Sequence, residues 1–389
     1  MWNDMMKPSN YYNIILWVGS FLLSSTLFLF DYNQIDGLFL KKSMVVIGRD
    51  FLNVWSGGNI ALSGNLDRLY DYDMYRSYIA EIFGPLAPYN YSYPPHSLFI
   101  AVFFAELPYA TSLLLWTILG IIFFIWAARP FMPSNLLPIF AILTPAALVN
   151  IWAGHYGFVI GGLWFLFFST MEHHPKRSGI YAGLLTLKPH LGLLIAFTLA
   201  YRKMGTSIAI AIATTLLLVG ASGVIFGFDL WRSWIVDTSA LQARIMTDPN
   251  PNFYYRMMVS PYIAFRGMTD PMRLCIHLLI AVSALSVFWK ARNAHPHDLA
   301  FISSSTTALI LPYIFNYDLT VACLGFAVFL YKRWPISKSY ERIALWLAFM
   351  APLVVMFVDF VAPFCLLAGL CAQVNQIIRE EQTKQAILA

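Results

Sequence analysis

The chain alternates long apolar runs with short polar intervals, and twelve of the runs are candidates for crossing a bilayer. A helical crossing needs about 20 apolar residues, and somewhat fewer where protein surrounds the helix. The pattern therefore predicts an all-α integral membrane protein with a single polytopic domain over residues 1–389. The predicted spans are Tyr12–Phe30, Pro108–Ala128, Leu136–Ile151, Gly157–Met171, Ser178–Leu187, Pro189–Tyr201, Thr206–Phe228, Met272–Lys290, Leu299–Phe315, Tyr317–Tyr331, Tyr340–Val358 and Phe360–Ile378.

The longest polar interval follows the first span directly and forms a loop over residues 31–107. Within it, Asp50–Leu62 and Tyr72–Phe83 are predicted to be helices. The apolar run His96–Leu107 is only about twelve residues long, so we expect it to lie at the membrane interface instead of crossing. A second large loop covers residues 229–271. We predict that the first loop carries the functional site and that the membrane spans form the scaffold that presents it.

Basic residues predict which loops lie on the same side. The short loops richest in Lys, Arg and His are Glu172–Arg177, Arg202–Lys203, Lys290–His297 and Lys332–Arg342. The positive-inside rule assigns such loops to the cytoplasm. Twelve crossings place all four there, together with both termini. Both large loops and the other unusual polar clusters then face the opposite, extracytoplasmic side.

The composition agrees with a membrane protein and argues against a soluble domain and a nucleic-acid-binding protein. The chain is 59% hydrophobic and 12% charged, against about 25% charged residues in an ordinary soluble domain. Its net charge of +5 comes from residues in short loops, so it indicates topology and no nucleic-acid partner. The four cysteines, all in apolar runs without metal-ligand spacing, are predicted to be inert packing residues. The first span lacks a small-residue cleavage site and is predicted to be retained.

Two charged residues in unusual places are the first candidates for chemistry. Asp50 begins the predicted helix just after the first span; it is either a helix N-cap, for which aspartate is a favoured residue, or a functional carboxylate. Lys188 lies between two apolar stretches that are broken by Pro189. An ionisable residue at that depth is costly unless it is paired, so Lys188 and the adjacent His190 are functional candidates. The alternative is a snorkelling lysine at a hairpin tip.

Three further residues have both a structural and a functional interpretation. His155 lies in a Gly-His-Tyr-Gly turn, where its imidazole is structural or donates to a phosphate or sugar hydroxyl. Arg256, in the second loop beside Asn252 and the aromatic residues 253–255, either anchors the loop at the interface or binds a phosphate oxyanion. Asp318 is either a carboxylate favoured by the dipole at a helix N-terminus or an acceptor for a sugar hydroxyl.

The order of short motifs along the chain resembles glycosyltransferase family 87, the polyprenol-phosphate-mannose-dependent mannosyltransferase group of the GT-C superfamily. The resemblance covers roughly residues 45 to 330. In this family His155 and His190 usually have glutamine counterparts. The motifs, in chain order, are Asp50-Phe51, Leu69-Tyr70-Asp71, Tyr93-Pro94-Pro95, Leu107-Pro108-Tyr109-Ala110, Gly154-His155-Tyr156-Gly157, Leu187-Lys188-Pro189-His190-Leu191-Gly192-Leu193, Pro312-Tyr313 and Tyr317-Asp318-Leu319.

The resemblance implies a GT-C-type fold in a bacterial inner membrane, with an active site that faces the periplasm. It implies a sugar donor on a polyprenyl phosphate, a lipid or glycan acceptor, and no metal or other cofactor. The first-loop aspartate of the family carries over to Asp50 as general base. Direct attack with one base predicts inversion at the anomeric carbon. The remaining candidates are Arg256, Lys188, His155 and His190 for the donor phosphate, and Asp318, Tyr93, Tyr317 and Trp55 for the sugar or acceptor.

Two other functions remain open from the sequence. A lipid or sugar transporter would carry charged residues along a midplane pathway and often shows inverted repeats, and neither is evident here. A polysaccharide ligase or polymerase would also span the membrane many times, but its key Arg and His residues usually lie in a late outer loop. The sugar and the acceptor, which could be a glycolipid, a lipid-linked glycan, a hopanoid or a protein, are open as well.

Overall fold

The computed structural model describes residues 8–32, 35–40, 44–247 and 255–388, and most of these residues are helical. The segments are, in chain order, α1 (Pro8–Tyr32), β1 (Ile35–Asp36), β2 (Phe39–Leu40), β3 (Val45–Val46), α2 (Phe51–Ser63), α3 (Tyr72–Phe83), α4 (Leu98–Ala105), α5 (Tyr109–Ala128), α6 (Pro145–Ala153), α7 (Gly157–Thr170), α8 (Pro175–Leu184), α9 (Leu193–Tyr201), α10 (Gly205–Phe226), α11 (Asp229–Ser233), α12 (Ser239–Thr247), α13 (Pro261–Ala264), α14 (Asp270–Lys290), α15 (Pro296–Ile310), α16 (Thr320–Arg333), α17 (Ser339–Val354) and α18 (Ala362–Leu388).

Several helices are long enough to cross a bilayer. Within the described ranges, length and apolar composition identify five such segments, and Pro95–Ala105 and Gly157–Thr170 are shorter apolar helices. These findings support a multi-pass membrane protein, while the count of twelve crossings stays a prediction. The five long segments are Tyr109–Phe131, Gly205–Phe226, Asp270–Lys290, Asn316–Ile336 and Asp359–Ala386.

The bundle is organised around α16. In the segment Asn316–Ile336, 78% of the most apolar stretch is buried, against 11% in Gly205–Phe226. Apolar side chains on every face of α16 bury it against α7, α15 and α17, as expected of a helix that is hydrophobic all round. Helix α10 packs mainly on α8 and leaves most of its side chains on the outside of the bundle, where lipid would surround them.

The predicted basic loops lie together at one end of the bundle. Arg202 bonds Glu172 at 3.4 Å and also donates to the Arg292 carbonyl. Arg333, in the fourth of these loops, pairs at 2.7 Å with Asp298, the residue that directly follows the third loop. Each of these contacts joins loops, or a residue next to a loop, that the charge pattern assigned to the same side of the membrane. The contacts therefore support the prediction that the basic loops share one side.

The first loop is a folded cap, as its predicted helices indicated. Helices α2 and α3 match Asp50–Leu62 and Tyr72–Phe83 to within a residue. The run 96–107 forms the short helix α4, which packs along α2 and at about 1.5 Å per residue is too short to cross alone. The sequence did not predict the three-stranded antiparallel sheet β1–β2–β3, whose two-residue strands are too short to show an alternating pattern.

The predicted span Leu136–Ile151 also differs from the structure. Residues 138–142 form a 3-10 turn and the α-helix starts only at Pro145, because Thr144 caps it through the Ala147 N–H. Pro145 at the first helical position fits this cap. The helix ends at Ala153, two residues beyond the predicted end, with Gly154 as its left-handed C-cap.

Gly154 fixes the first loop against the bundle. Its φ is +63°, and a Cβ there would lie 2.6 Å from the Gly48 carbonyl oxygen and 2.7 Å from the Phe51 Cβ. The neighbouring Ala153 carbonyl accepts the Asp50 N–H at 2.9 Å. Glycine is required by both the left-handed conformation and the close approach.

We therefore expect Gly154→Ala to lower stability by about 1–3 kcal/mol, because it combines backbone strain with overpacking. The measurement is the apparent thermal midpoint of the detergent-solubilised protein. Gly220→Ala is the control, since a Cβ at Gly220 meets nothing within 4 Å. An unchanged midpoint for Gly154→Ala would contradict this account of the turn.

Candidate active site

A cavity of about 1300 Å³ lies between the first loop, the turns that follow α6 and precede α9, and residues 234–245 and 255–257. It collects polar side chains from distant parts of the sequence and adds apolar ones near residues 235, 245 and 356–357. The predicted site residues that line it are Asp50, Tyr93, His155, Lys188, His190, Arg256 and Tyr317.

Asp50 presents its carboxylate to this cavity. It precedes α2, but its side chain makes no capping hydrogen bond, so the N-cap interpretation is wrong. A sharp turn brings the residue there, with positive φ at Gly48 (+79°) and Arg49 (+35°). A non-glycine residue in this region is strained, and such strain clusters at functional sites. The Tyr317 hydroxyl donates a hydrogen bond to the carboxylate.

The surroundings of Asp50 adjust its acidity. Burial raises the pKa of Asp50 to about 6, against the lowering effects of the nearby Arg49 and Lys188 cations and of the Tyr317 hydrogen bond; the Asp318 charge adds to the rise. Burial disfavours the charged form of a carboxyl group. A pKa in this range suits a general base, which must be unprotonated at working pH and still accept a proton readily.

Lys188 and Asp318 form a buried ion pair. Lys188 Nζ lies 2.6 Å from Asp318 Oδ1, and the two side chains are 8% and 0% exposed. The other carboxylate oxygen of Asp318 accepts the Phe315 N–H at 3.3 Å, which agrees with the helix N-terminal interpretation. Asp318 therefore lies behind Lys188 and does not line the cavity. Its expected contact with a sugar hydroxyl is not what the geometry provides.

The two candidate histidines are neutral. Burial, with the Lys188 charge beside it, holds the pKa of His155 well below its ordinary range, and the same two causes lower the pKa of His190 to about 3. His155 Nε2 lies 2.9 Å from the Tyr93 hydroxyl, and its ring stacks on Tyr317 with centroids 4.1 Å apart. Neutral imidazoles can donate one hydrogen bond each to a phosphate or sugar, but they add no positive charge.

Arginines of the second loop form the facing wall. Arg256 and Arg244 both line the cavity and are exposed, and neither makes an ion pair within the described part of the chain. Asn252 and the aromatic residues Phe253 and Tyr254, predicted to lie beside Arg256, fall outside the described residues. Arg266 pairs with Asp359 at 2.7 Å instead. Arg244 is a cation that the sequence did not single out.

Arg49 is the clearest site residue that the sequence analysis missed. It lines the cavity beside Asp50, pairs with Asp31 at 2.9 Å, and its guanidinium lies 3.7 Å over the Trp152 ring. These contacts hold the strained turn in place. The adjacent opposite charges in Gly48-Arg49-Asp50, directly after a span, were the available signal.

Trp55 is the candidate that the structure separates from the others. Its ring packs against Phe83 and Tyr109, and its Nε1 donates to the Leu107 carbonyl at 2.9 Å. It therefore joins α2 to the end of the first loop and does not line the cavity. An indole with its N–H satisfied by the backbone serves packing, so the expected sugar contact by Trp55 is not supported.

No described group of three or more His, Cys, Asp or Glu side chains lies close enough together to hold a metal ion. The polar side chains that the described residues bring to the cavity include the Asp50 carboxylate with its raised pKa, the Asp31 carboxylate paired with Arg49, several cations and neutral hydrogen-bond donors. This set can accept a proton from a hydroxyl group and can stabilise an anion close by.

Comparison with known proteins identifies the family. The model of glycosyltransferase family 87 matches residues 91–315, more than half of the chain. The match includes Tyr93, His155, Lys188 and Arg256, and lies between Asp50 and Tyr317. No curated protein and no solved structure matches the chain. The chain belongs to glycosyltransferase family 87 and is a membrane glycosyltransferase.

Proposed function

We propose that the protein transfers a hexose from a polyprenyl phosphate to a lipid or glycan acceptor, with inversion at the anomeric carbon and with Asp50 as general base. The hexose is proposed to be mannose because the family resemblance implies it. The observation that carries the proposal is the Asp50 carboxylate. This carboxylate makes no helix-capping hydrogen bond, faces a large cavity, and has its pKa raised to about 6 by burial.

The reaction needs little more than a base and an anion site. The acceptor oxygen bonds to the anomeric carbon as the bond from that carbon to the phosphate oxygen breaks. The acceptor proton passes to Asp50, and the polyprenyl phosphate leaves as an anion. General-base catalysis contributes roughly 100- to 10,000-fold to such a step. A phosphate is already a workable leaving group, so no general acid is required.

The cations of the cavity suit the departing phosphate. Lys188 reaches the cavity although one of its N–H groups bonds Asp318, and an ammonium group has two more to donate. Arg256 and Arg244 add exposed guanidinium groups on the opposite wall. Donors aimed at developing charge usually supply the largest part of the rate enhancement. His155 and His190 are placed to support them as neutral donors.

The size and lining of the cavity fit two substrates, one of them a lipid. Pockets for single small ligands typically measure about 300–1,000 Å³, so 1300 Å³ leaves room for donor and acceptor together. Phe357, Met356 and Ile235 provide an apolar side, and Phe357 is 63% exposed at the protein surface. We place the polyprenyl chain along this side. In a bacterial inner membrane the cavity would face the periplasm, opposite the basic loops.

The test is transfer from radiolabelled polyprenyl-phosphate mannose in membranes that contain the protein, beside membranes that lack it. We expect labelled product from the first only, at an unchanged rate in EDTA, because the proposed mechanism uses no metal. Polyprenyl-phosphate glucose in a parallel reaction tests the sugar. The absence of transfer from any polyprenyl-phosphate sugar would overturn the donor assignment and favour a ligase or a transporter.

A further inference from the structure

A residue with no assigned role stands beside the base. Asn53 follows Asp50 by three residues, and its backbone N–H donates to the Asp50 carbonyl at 3.0 Å. Helical residues three apart share a face, with Cβ atoms about 5–6 Å from one another. Both side chains line the cavity. Whatever bonds the Asp50 carboxylate is therefore within reach of the Asn53 amide.

A hydrogen bond from the protein interior fixes the orientation of the Asn53 amide. The Tyr75 hydroxyl donates to Asn53 Oδ1 at 2.9 Å. Tyr75 is fully buried and Asn53 is 7% exposed. The carbonyl side of the amide is thus occupied by the protein. Nδ2 makes no hydrogen bond within the described residues, and it is not one of the buried polar atoms without a partner, so it remains open to the cavity.

Helix α2 is held rigidly enough to make this placement specific. A Cβ at Gly57 would lie 2.3 Å from the Tyr91 ring, and one at Gly58 would lie 2.3 Å from the Ala101 carbonyl oxygen. The helix is thus in direct contact with two neighbouring segments of the loop. Sites on such packed elements are more precise than sites on free loops.

We propose that Asn53 is a specificity-determining residue, whose Nδ2 donates a hydrogen bond to the oxygen beside the hydroxyl that Asp50 deprotonates. An N–H donor needs an acceptor oxygen as its partner. With base and donor on one helix face, one ligand satisfies both when it carries two hydroxyl groups on adjacent carbons. The acceptor substrate is therefore a vicinal diol of a sugar or polyol, not an isolated alcohol. This inference rests on the proposed function.

The first arm of the test uses the native acceptor without knowing its identity. Periodate cleaves the carbon–carbon bond of vicinal diols, oxidising both carbons to carbonyls as it is reduced to iodate. Membrane lipid extract is treated with periodate, then with borohydride, and freed of both before labelled donor and protein are added. An extract treated with borohydride alone is the control. We expect periodate treatment to abolish acceptor activity.

The second arm changes the residue. Asn53→Leu keeps the size but removes the donor, and we expect the rate per amount of lipid extract, below saturation, to fall about 10- to 100-fold. The KM for the donor should stay within about twofold, a separation that general structural damage would not produce. Asn59→Leu is the matched control, because Asn59 lies on the same helix, bonds the Trp55 carbonyl and does not line the cavity. Tyr75→Phe, which frees the amide to turn, should give a smaller loss of the same kind.

The outcomes separate this inference from the proposed function. Transfer that depends on Asp50 but survives periodate treatment would overturn the vicinal-diol assignment and leave the base in place. Equal effects of Asn53→Leu and Asn59→Leu, or a parallel rise in donor KM, would show that Asn53 is only structural. If membranes that contain the protein give no Asp50-dependent transfer, the proposed function fails and this inference fails with it.

Discussion

Asp50→Asn is expected to reduce sugar transfer by about 100- to 10,000-fold, the range that a general base contributes. The amide is nearly the same size, so the turn at Gly48 and Arg49 should be retained, but it cannot take the acceptor proton. Because our proposal assigns the phosphate to other residues, donor binding should persist. The measurement is initial rate at saturating donor, beside binding of labelled polyprenyl-phosphate mannose.

Asp73→Asn is the matched control for this variant. Asp73 lies in the same loop, on α3, is exposed to solvent and does not line the cavity. Its replacement should leave the rate unchanged. Equal activity of Asp50→Asn and the wild type would remove Asp50 as the base. Loss of activity together with donor binding would instead assign Asp50 to structure.

Lys188→Met is expected to have the second large effect, on stability as well as on transfer. Removing one partner of a buried ion pair costs about 3–5 kcal/mol, because the other charge is left uncompensated. Asp318, fully buried and 2.6 Å from Lys188 Nζ, is such a charge. We expect a lower apparent thermal midpoint in detergent and no measurable transfer.

The double variant Lys188→Met/Asp318→Leu separates the two effects. Replacing a buried pair by apolar residues is often neutral or stabilising, so its thermal midpoint should return towards that of the wild type. Transfer should remain absent, since the ammonium group is gone. Lys176→Met, at an exposed position of α8, is the control and should change neither quantity. Recovery of transfer in the double variant would contradict a role for Lys188 in binding phosphate.

Much of the architecture could be predicted because it depends on local pattern. Apolar runs indicated the long helices, and the amphipathic stretches of the first loop indicated α2 and α3 to within a residue. The breaks were harder. The Thr144 cap and Pro145, which follow the 3-10 turn at 138–142, were local signals that the sequence analysis did not use, whereas the π-helical segment Trp234–Thr238 was not indicated by the apolar pattern.

The candidate site divides in the same way. Asp50 and Lys188 stood out because a charge in an apolar chain needs a reason. Their partners could not be found, since Asp318 lies 130 positions from Lys188 and the Tyr317 hydroxyl reaches Asp50 only in the folded chain. Asn53 gave no signal at all, because its orientation depends on Tyr75, 22 residues further on.

The protonation state of Asp50 during transfer gives the most direct test of its role as general base. It reports on the base itself and not on the effect of removing it. The measurement is the pH dependence of the transfer rate, for the wild type and for Tyr317→Phe. A base works only when unprotonated, so the wild-type rate should rise with pH through an apparent pKa of about 6. Tyr317→Phe removes a hydrogen bond that lowers the Asp50 pKa, and the rise should move to higher pH. A rate that does not change through this range, or a rise at the same pH in both proteins, would contradict Asp50 as the base.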